Sequence, residues 1–312
     1  MCPPLVGGGQ DSKEYAVGKS ARVQNARLAE LRAAQAKAER RSKLMIAGAT
    51  VGVVVIVVVA LVVAALQGGS RDVSGQSASA LDQATFAKLT SVPATALDTV
   101  GVGTSANPPK TIDAPALTKD GKPRVVYVGA EYCPFCATER WPLVVALSRF
   151  GTWNNLSASF SAPAPETNPN TPTVSFHGAT YTSQYLSFTG YETATNKMTN
   201  GQWGKLDALE GDDLTLFQTY NAPPYTQSKG AIPWISFGGT AIQEGASYDS
   251  GVLLGKTQAE IASALADPTS DIAKGVNGTA NTMTAQICKL TGQQPTAVCT
   301  APGVVAAAAT LK

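Results

Sequence analysis

Apolar positions along this chain form one long uninterrupted run and, further on, several short runs separated by polar and turn residues. The long run covers residues 44–66 and contains no charged residue. At about 1.5 Å per helical residue it reaches roughly 35 Å, which is enough to cross a bilayer core of about 30 Å. We therefore predict a transmembrane helix over residues 44–66, with the lipid bilayer as a partner.

The charges beside this run predict its orientation. Four cations crowd its N-terminal flank, namely Lys37, Arg40, Arg41 and Lys43, whereas only Arg71 stands near the other end. The positive-inside rule then makes residues 1–43 a basic cytoplasmic tail and places the chain after residue 66 outside the cell membrane. A cleaved signal peptide is the alternative, but its apolar run is only about 7–15 residues and follows a short leader.

Two glycines in the apolar run bear on oligomerisation. Gly48 and Gly52 have the small-xxx-small spacing that lets two membrane helices approach closely. This pattern predicts a weak homodimer through the membrane helix.

The short apolar runs after residue 67 predict alternating strands and helices, and hence an α/β fold. Residues 67–110 are predicted as an extracytoplasmic linker that contains a short helix at 81–89. A β-branched run predicts a strand at 124–129, followed by a helix at 136–150 that Pro142 kinks and Gly151 ends. Further on, we predict strands at 173–176, 180–188 and 247–254 and helices at 206–220 and 258–266.

Composition narrows the partners and the chemistry. Charged residues make up 15% of the chain and the net charge is +2, which does not favour nucleic acid as a partner. His177 is the only histidine, so Ser/His/Asp catalysis has no supporting motif. We predict no metal site, because an oxidising compartment favours disulfides over thiolate ligands.

Residues 133–136 read Cys-Pro-Phe-Cys, between the predicted strand and the predicted helix. Unpaired N–H groups and the helix dipole at a helix start favour a thiolate, so Cys133 is the predicted nucleophile. Cys136, one turn deeper, is the predicted resolving thiol, which attacks a mixed disulfide formed at Cys133. Pro134 costs no hydrogen bond at the first helical position.

Charged neighbours surround the cysteine pair in the sequence. Glu131 either disfavours the Cys133 thiolate by its charge or relays the proton of that thiol, the alternative being a solvated loop residue. Glu139 and Arg140 are predicted to lie on the surface of the helix.

A second pair of cysteines lies near the C-terminus. Cys288 and Cys299 are separated by ten residues, and closing a loop of that length stabilises a fold by about 3 kcal/mol. We predict a structural disulfide that fastens a helical C-terminal extension over residues 268–312, with a second redox centre as the alternative.

The strand, the cysteine turn and the helix together resemble the thioredoxin superfamily. Residues 231–239, which read Ala-Ile-Pro-Trp-Ile-Ser-Phe-Gly-Gly, resemble the cis-proline strand of that family. The resemblance implies a thioredoxin-like domain over residues 111–267, enlarged in the middle at 152–229. It also implies that Pro233 is cis and faces the cysteines, and that substrates contact Ile232, Pro233, Tyr132, Pro134 and Phe135.

Residues 129–141 are also similar to a group of membrane-anchored thioredoxin-like proteins, known as domain of unknown function 929, whose activity is undetermined. The expected function is a membrane-anchored thiol-disulfide oxidoreductase that exchanges disulfides with exported or membrane proteins. A membrane redox partner resets it, and it uses no cofactor besides its own Cys133–Cys136 disulfide.

Two other functions stay open from the sequence. One is a non-catalytic accessory or assembly subunit of a membrane complex, such as a respiratory one. The other is copper delivery, for which a wider cysteine spacing and a partner histidine are expected.

Overall fold

The computed structural model describes residues 73–75 and 78–311. Cys2, the basic tail at 1–43, the predicted transmembrane helix at 44–66 and its two glycines lie outside these residues. None of the helices in the described part of the chain has the length and apolarity that a membrane span requires.

The described residues form a mixed α/β structure, as the sequence predicts. Its strands are β1 (Val73–Ser74), β2 (Ser79–Ala80), β3 (Lys110–Thr111), β4 (Thr118–Lys119), β5 (Lys122–Gly129), β6 (Gly151–Asn154), β7 (Ser157–Phe160), β8 (Pro172–Ser175), β9 (Thr180–Ser183), β10 (Ser187–Glu192), β11 (Ala194–Thr199), β12 (Gln202–Lys205), β13 (Trp234–Phe237) and β14 (Ala241–Glu244). Its helices are α1 (Gln83–Thr90), α2 (Ala94–Val100), α3 (Pro134–Ser148), α4 (Gly211–Tyr220), α5 (Gln258–Ala264), α6 (Asp271–Leu290), α7 (Thr296–Cys299) and α8 (Pro302–Ala308), with a 3-10 helix at Ser250–Leu253.

A six-stranded central sheet carries the cysteine turn. Its order is β10-β5-β13-β14-β3, and β4 pairs with β5. β10 runs parallel to β5, whereas β13 is antiparallel to it. Three smaller sheets flank it, with the orders β1-β11-β12, β2-β7-β8 and β6-β9.

Alternating residues of β5 enter the two cores on either face of this sheet. Val125 and Tyr127 join the larger cluster, to which α3 and α6 also contribute, whereas Val126 and Val128 join the smaller one. Side chains of successive strand residues point to opposite faces, so a continuous apolar run is what a strand covered on both faces requires.

Helix α3 differs from its predicted bounds at both ends. It begins at Pro134 rather than at residue 136, because the sulfur of Cys133 accepts a hydrogen bond at the N-cap and Pro134 occupies the first turn. It ends at Ser148, and Gly151 opens β6 instead of terminating the helix. The helix continues through Pro142, and the kink at this residue stays a prediction.

Three other predicted elements need correction. The strand predicted at 180–188 is two strands, β9 and β10, that belong to different sheets. The strand predicted at 247–254 is a 3-10 helix, which begins where the Asp249 carboxylate accepts the Gly251 N–H, so β14 is the last strand. The helix predicted at 206–220 begins only at Gly211, whose φ of +57° lies outside the helical region.

Two segments outside the predicted domain contribute to its core. Within the predicted linker, α1 and α2 bury Leu89 and Leu97, and α6 buries Val276 and Met283 in the same cluster. Apolar residues of α6 pack against α3. The segment predicted as a C-terminal extension therefore covers the helix that starts at the cysteine pair.

A disulfide joins Cys288, near the end of α6, to Cys299 in α7, with the two Cα atoms 5.7 Å apart. Both cysteines are buried and belong to the larger cluster. The disulfide therefore fastens the short C-terminal helices to a helix of the core.

Replacing both of these cysteines tests a purely structural role. We expect Cys288→Ser with Cys299→Ser to lower the free energy of unfolding by about 3 kcal/mol, since the unfolded chain regains the freedom of an open loop. Denaturant unfolding measures this change, and the alkylation rate of Cys133 serves as the control because it should not change. Unaltered stability together with a slower Cys133 would contradict the structural assignment.

Candidate functional site

Cys133 lies in the turn between the end of β5 and the start of α3. Its backbone N–H donates to the carbonyl of Ala130 at 3.2 Å, which closes the turn. Its sulfur accepts the backbone N–H of Cys136 at 3.3 Å and thereby caps the helix. Both cysteines are free thiols here, and Cys133 retains 6% exposure whereas Cys136 has none.

The predicted cis-proline segment meets the cysteine turn. The Ile232–Pro233 peptide bond is cis. The thiol of Cys133 donates to the carbonyl oxygen of Ile232 at 3.8 Å, although the two residues are 99 positions apart. The structure thus brings Cys133, Ile232 and Pro233 to one place.

The two thiols have opposite electrostatic surroundings. A hydrogen bond from the Cys136 side chain lowers the pKa of Cys133, assisted by the Cys136 N–H and the charge of Arg140 and opposed by burial. Burial raises the pKa of Cys136 well above its usual range, and the neighbouring Cys133 raises it further. Cys133 is therefore the thiol that ionises first, as the sequence predicts.

Aromatic residues stand on either side of Cys133 in the sequence. Tyr132 stacks on Trp203 of β12, with ring centroids 4.7 Å apart and planes only 5° from parallel. Phe135 is 44% exposed and lines a cavity of about 370 Å³ together with Tyr248 and the loop around it. Pro134 is buried, and its carbonyl accepts the hydroxyl of Thr138. Trp203 was not among the predicted site residues, because nothing in its local sequence indicates the stacking.

The sequence predicted Arg140 on the surface of α3. The prediction was wrong, because Arg140 is fully buried. Its guanidinium binds the carboxylate of Glu192 through two hydrogen bonds, Nε to Oε1 at 2.7 Å and Nη2 to Oε2 at 2.6 Å. Nη2 also donates to the carbonyl of Ala130 at 2.7 Å. The prediction failed because Glu192, the partner that makes burial tolerable, is 52 residues away in sequence.

Two polar atoms in and next to this ion pair have no hydrogen-bond partner among the described residues. They are Nη1 of Arg140 and the hydroxyl of Tyr127, both buried. The Arg140 Cζ lies 5.9 Å from the centroid of the Tyr127 ring. A Cβ at Gly129 would come within 2.2 Å of the Tyr127 hydroxyl, so only glycine leaves room for it.

Glu131 is 5% exposed, which contradicts the alternative of a solvated loop residue. Its charge reaches the ion pair, since it is among the causes that raise the pKa of Glu192, the largest of which is burial. A proton relay by Glu131 stays a prediction.

Glu139 is the second residue predicted at the surface and found fully buried. Its carboxyl group accepts from the side-chain amide of Gln243 at 2.6 Å and from the hydroxyl and backbone N–H of Ser247 at 2.8 and 3.0 Å. Burial raises the pKa of Glu139 to about 8, despite the Ser247 hydrogen bonds, which lower it. The residue fastens the loop after β14 to the helix that carries the cysteines.

His177, the only histidine in the sequence, lies at the surface. Its Nδ1 contacts the Asp207 carboxylate at 2.6 Å. In the described part of the chain, no group of three or more histidine, cysteine or acidic residues could hold a metal ion.

Fold and site together define a mixed α/β domain with a Cys-Pro-Phe-Cys pair at the start of a buried helix. Residues 109–204 match the model of a family described as Domain of unknown function (DUF929). This match confirms the resemblance of residues 129–141 to that family, and it assigns neither a superfamily nor an activity. Neither the curated proteins nor the solved structures include one that matches this chain.

The two thiols should differ in their reaction with iodoacetamide. We expect Cys133 to react first and to remain reactive below the usual cysteine pKa of about 8.5, since its own pKa is lowered and the thiolate is the reacting form. Mass spectrometry of the reduced protein after brief labelling measures the order. Cys133→Ser should abolish the fast labelling, and a preference for the fully buried Cys136 would contradict the assignment.

Glu139 should make the stability depend on pH. Its folded-state pKa of about 8 lies above its ordinary 4.5, so between these values the folded protein holds a proton that the unfolded chain releases. This contribution is complete below about pH 4.5 and is lost as the pH rises through about 8, at up to roughly 1.4 kcal/mol per pH unit. Glu139→Gln should remove that slope, as urea unfolding from about pH 5 to about pH 8 would measure.

Glu260→Gln is the matched control for this experiment. Glu260 caps α5 at the surface, and its pKa is lowered by hydrogen bonds from Thr257 rather than raised by burial. We expect this variant to keep the slope of the unmodified protein. Equal slopes in the Glu139→Gln variant and the unmodified protein would show that the carboxyl group is ionised when buried.

Proposed function

We propose that this protein is a membrane-anchored, extracytoplasmic thiol-disulfide oxidoreductase with a thioredoxin-like fold, acting on exported or membrane proteins. The observation that carries the proposal is the position of the Cys133 sulfur. It caps α3, accepts the Cys136 N–H at 3.3 Å and lies 3.8 Å from the carbonyl that precedes cis-Pro233. In this position the thiolate of Cys133 is stabilised, the second thiol lies within reach, and a backbone carbonyl lies next to the sulfur.

Each group has a defined part in the exchange. The Cys133 thiolate attacks one sulfur of a partner disulfide, a new S–S bond forms, and the other partner sulfur leaves as a thiolate. Cys136 then loses its proton and attacks Cys133, which releases the first partner sulfur as a second thiolate. The partner gains two electrons, and Cys133 and Cys136 become a disulfide that a membrane redox partner reduces. The same steps in reverse oxidise a partner dithiol.

The thioredoxin-like assignment is supported by the arrangement around the proline. In that superfamily the cis-proline faces the cysteine pair, and the residue before it offers its backbone to a bound peptide. Here β13, which follows Pro233, pairs antiparallel with β5, which precedes the cysteines. Substrates are proposed to contact Ile232, Pro233, Tyr132, Pro134 and Phe135, which belong to the two segments that this strand pairing makes neighbours.

One observation favours the alternative of a non-catalytic accessory subunit. Cys133 has only 6% of its surface exposed and Cys136 has none. A pair so enclosed serves equally as a stable structural element in a module that binds a membrane complex. Reactivity with partner proteins distinguishes the two functions.

Trapping the mixed disulfide tests the proposal. Cys136→Ala removes the resolving thiol, so partners attached to Cys133 should accumulate as covalent complexes that a reductant dissolves. Non-reducing gels of the full-length chain, purified from cells of its own source, measure the complexes. Cys133→Ala with Cys136→Ala is the matched control and should capture nothing.

The trap also decides between the candidate functions. An empty trap beside normal assembly of a membrane complex would contradict the enzyme and support the accessory subunit. Stoichiometric binding of Cu(I) by the reduced protein, lost in Cys133→Ser, would instead support copper delivery.

A further inference from the structure

The Arg140–Glu192 ion pair touches the cysteine turn, yet it has no part in the exchange steps above. Arg140 follows Cys136 by four residues on α3, so the two side chains share a face of the helix. Glu192 ends β10 and pairs in register with Gly129, the last residue of β5. Through Ala130, the guanidinium also binds the turn that leads to Cys133.

Stability alone explains this pair poorly. Both side chains have no exposed surface, and desolvating two charges offsets most or all of their attraction. Buried pairs of this kind can often be replaced by apolar residues without loss of stability. We therefore ask whether the ion pair affects the ionisation of the neighbouring cysteines.

The positive end of the pair acts on the sulfur atoms more than the negative end does. The charge of Arg140 lowers the pKa of both cysteines, and at Cys136 it outweighs the opposing charge of Glu192. The geometry agrees, because Nη1 of Arg140 has no hydrogen-bond partner among the described residues and is not engaged by the carboxylate.

The titratable groups around the guanidinium come from each element packed there. They are Tyr127 on β5, Glu131 in the turn, Glu192 on β10, and the two cysteines. Burial raises the pKa of Tyr127 well above its usual range, so its hydroxyl stays neutral. Arg140 is thus the cation of this group.

We propose that Arg140, held in place by Glu192, is a positioning residue that stabilises the thiolate forms of Cys133 and Cys136 and makes their disulfide a stronger oxidant. Reduction of that disulfide takes two electrons and yields thiolate, which a nearby cation favours over the uncharged disulfide. The inference deepens the proposed function and rests on it for its biological meaning. The effect of the Arg140 charge on the two thiols can be measured whether or not the protein exchanges disulfides with a partner.

Removing both charges together is the first test, because neither is then left buried alone. In the full-length chain, we expect Arg140→Met with Glu192→Leu to raise the pKa of Cys133, read from the pH dependence of its alkylation. The equilibrium constant with glutathione should shift about tenfold toward the disulfide, which corresponds to about 30 mV. The matched control is Arg124→Met with Asp213→Leu, which removes the bidentate ion pair that Arg124 of β5 makes with α4 and should change neither value.

A single substitution predicts the opposite sign. Glu192→Gln keeps a hydrogen-bonding side chain but leaves the Arg140 charge without its counter-ion, so the pKa of Cys133 should fall below that of the unmodified protein. A merely structural role gives no reason for the two variants to shift in opposite directions. Should the double variant fail to fold, this single variant decides the matter.

Three results would overturn the inference. The first is that the double variant and Glu192→Gln both fold and both keep the Cys133 pKa and the redox potential of the unmodified protein. The second is a Cys133 pKa in Glu192→Gln that is higher than in the unmodified protein. The third needs no variant: a Cys133 pKa at or above about 8.5 in the unmodified protein leaves no stabilised thiolate to explain. Shifted values with an empty Cys136→Ala trap would instead retain this inference and reject the proposed function.

Discussion

The antiparallel pairing of β5 with β13 is the interaction on which the site depends. It sets Trp234 opposite Val128, so the chain just before β13 lies beside the chain just after β5. Those two adjoining pieces are Ile232–Pro233 and the cysteine turn. Since the side-chain period of a strand is two, a slip of one residue would exchange the faces of β13 and remove Trp234 from the smaller core. The same register that fills the core therefore positions the carbonyl of Ile232 against the sulfur of Cys133.

How much of this could be read from the sequence depends on the distance between interacting residues. The strand at 124–129 and the start of a helix at the cysteines follow from local patterns, and the structure contains both. The pKa of Cys133 is lowered and that of Cys136 raised, which is the direction that those patterns predict. The cis-proline came from a resemblance rather than from local physics. The burial of Glu139 and Arg140 could not be predicted in this way, because a charged residue in a helix is expected at the surface unless a partner is known. Their partners, Gln243 and Glu192, are 104 and 52 residues away.

The elements that were misplaced share a second cause. Residues 180–188 have the composition of one strand, but the bend at Gln184 and Tyr185 lets the chain leave β9 and enter the central sheet as β10. Trp203 likewise gains its place next to Tyr132 only because β11 and β12 fold back as a hairpin after Glu192. Tertiary pairing thus decided what local propensity left open, and it did so most between residues 152 and 229.

Two buried carboxyl groups, Glu139 and Glu192, form hydrogen bonds that involve helix α3, and each is stabilised in a different way. Glu192 is bound to the Arg140 guanidinium by two hydrogen bonds, and the ion pair adjoins the cysteine turn. Glu139, whose pKa of about 8 leaves it protonated at neutral pH, is stabilised by uncharged donors and presents almost no field. The neutral group fastens the loop after β14 and bears on stability, whereas the charged group lies under the cysteines and bears on their ionisation. Apart from the exposed Phe135, nearly all of α3 is buried, and its two neighbouring charged residues lie in separate surroundings. Of the two charges in the ion pair, Arg140 has the larger effect on the thiols, since it lowers the pKa of both cysteines and outweighs the opposing charge of Glu192 at Cys136.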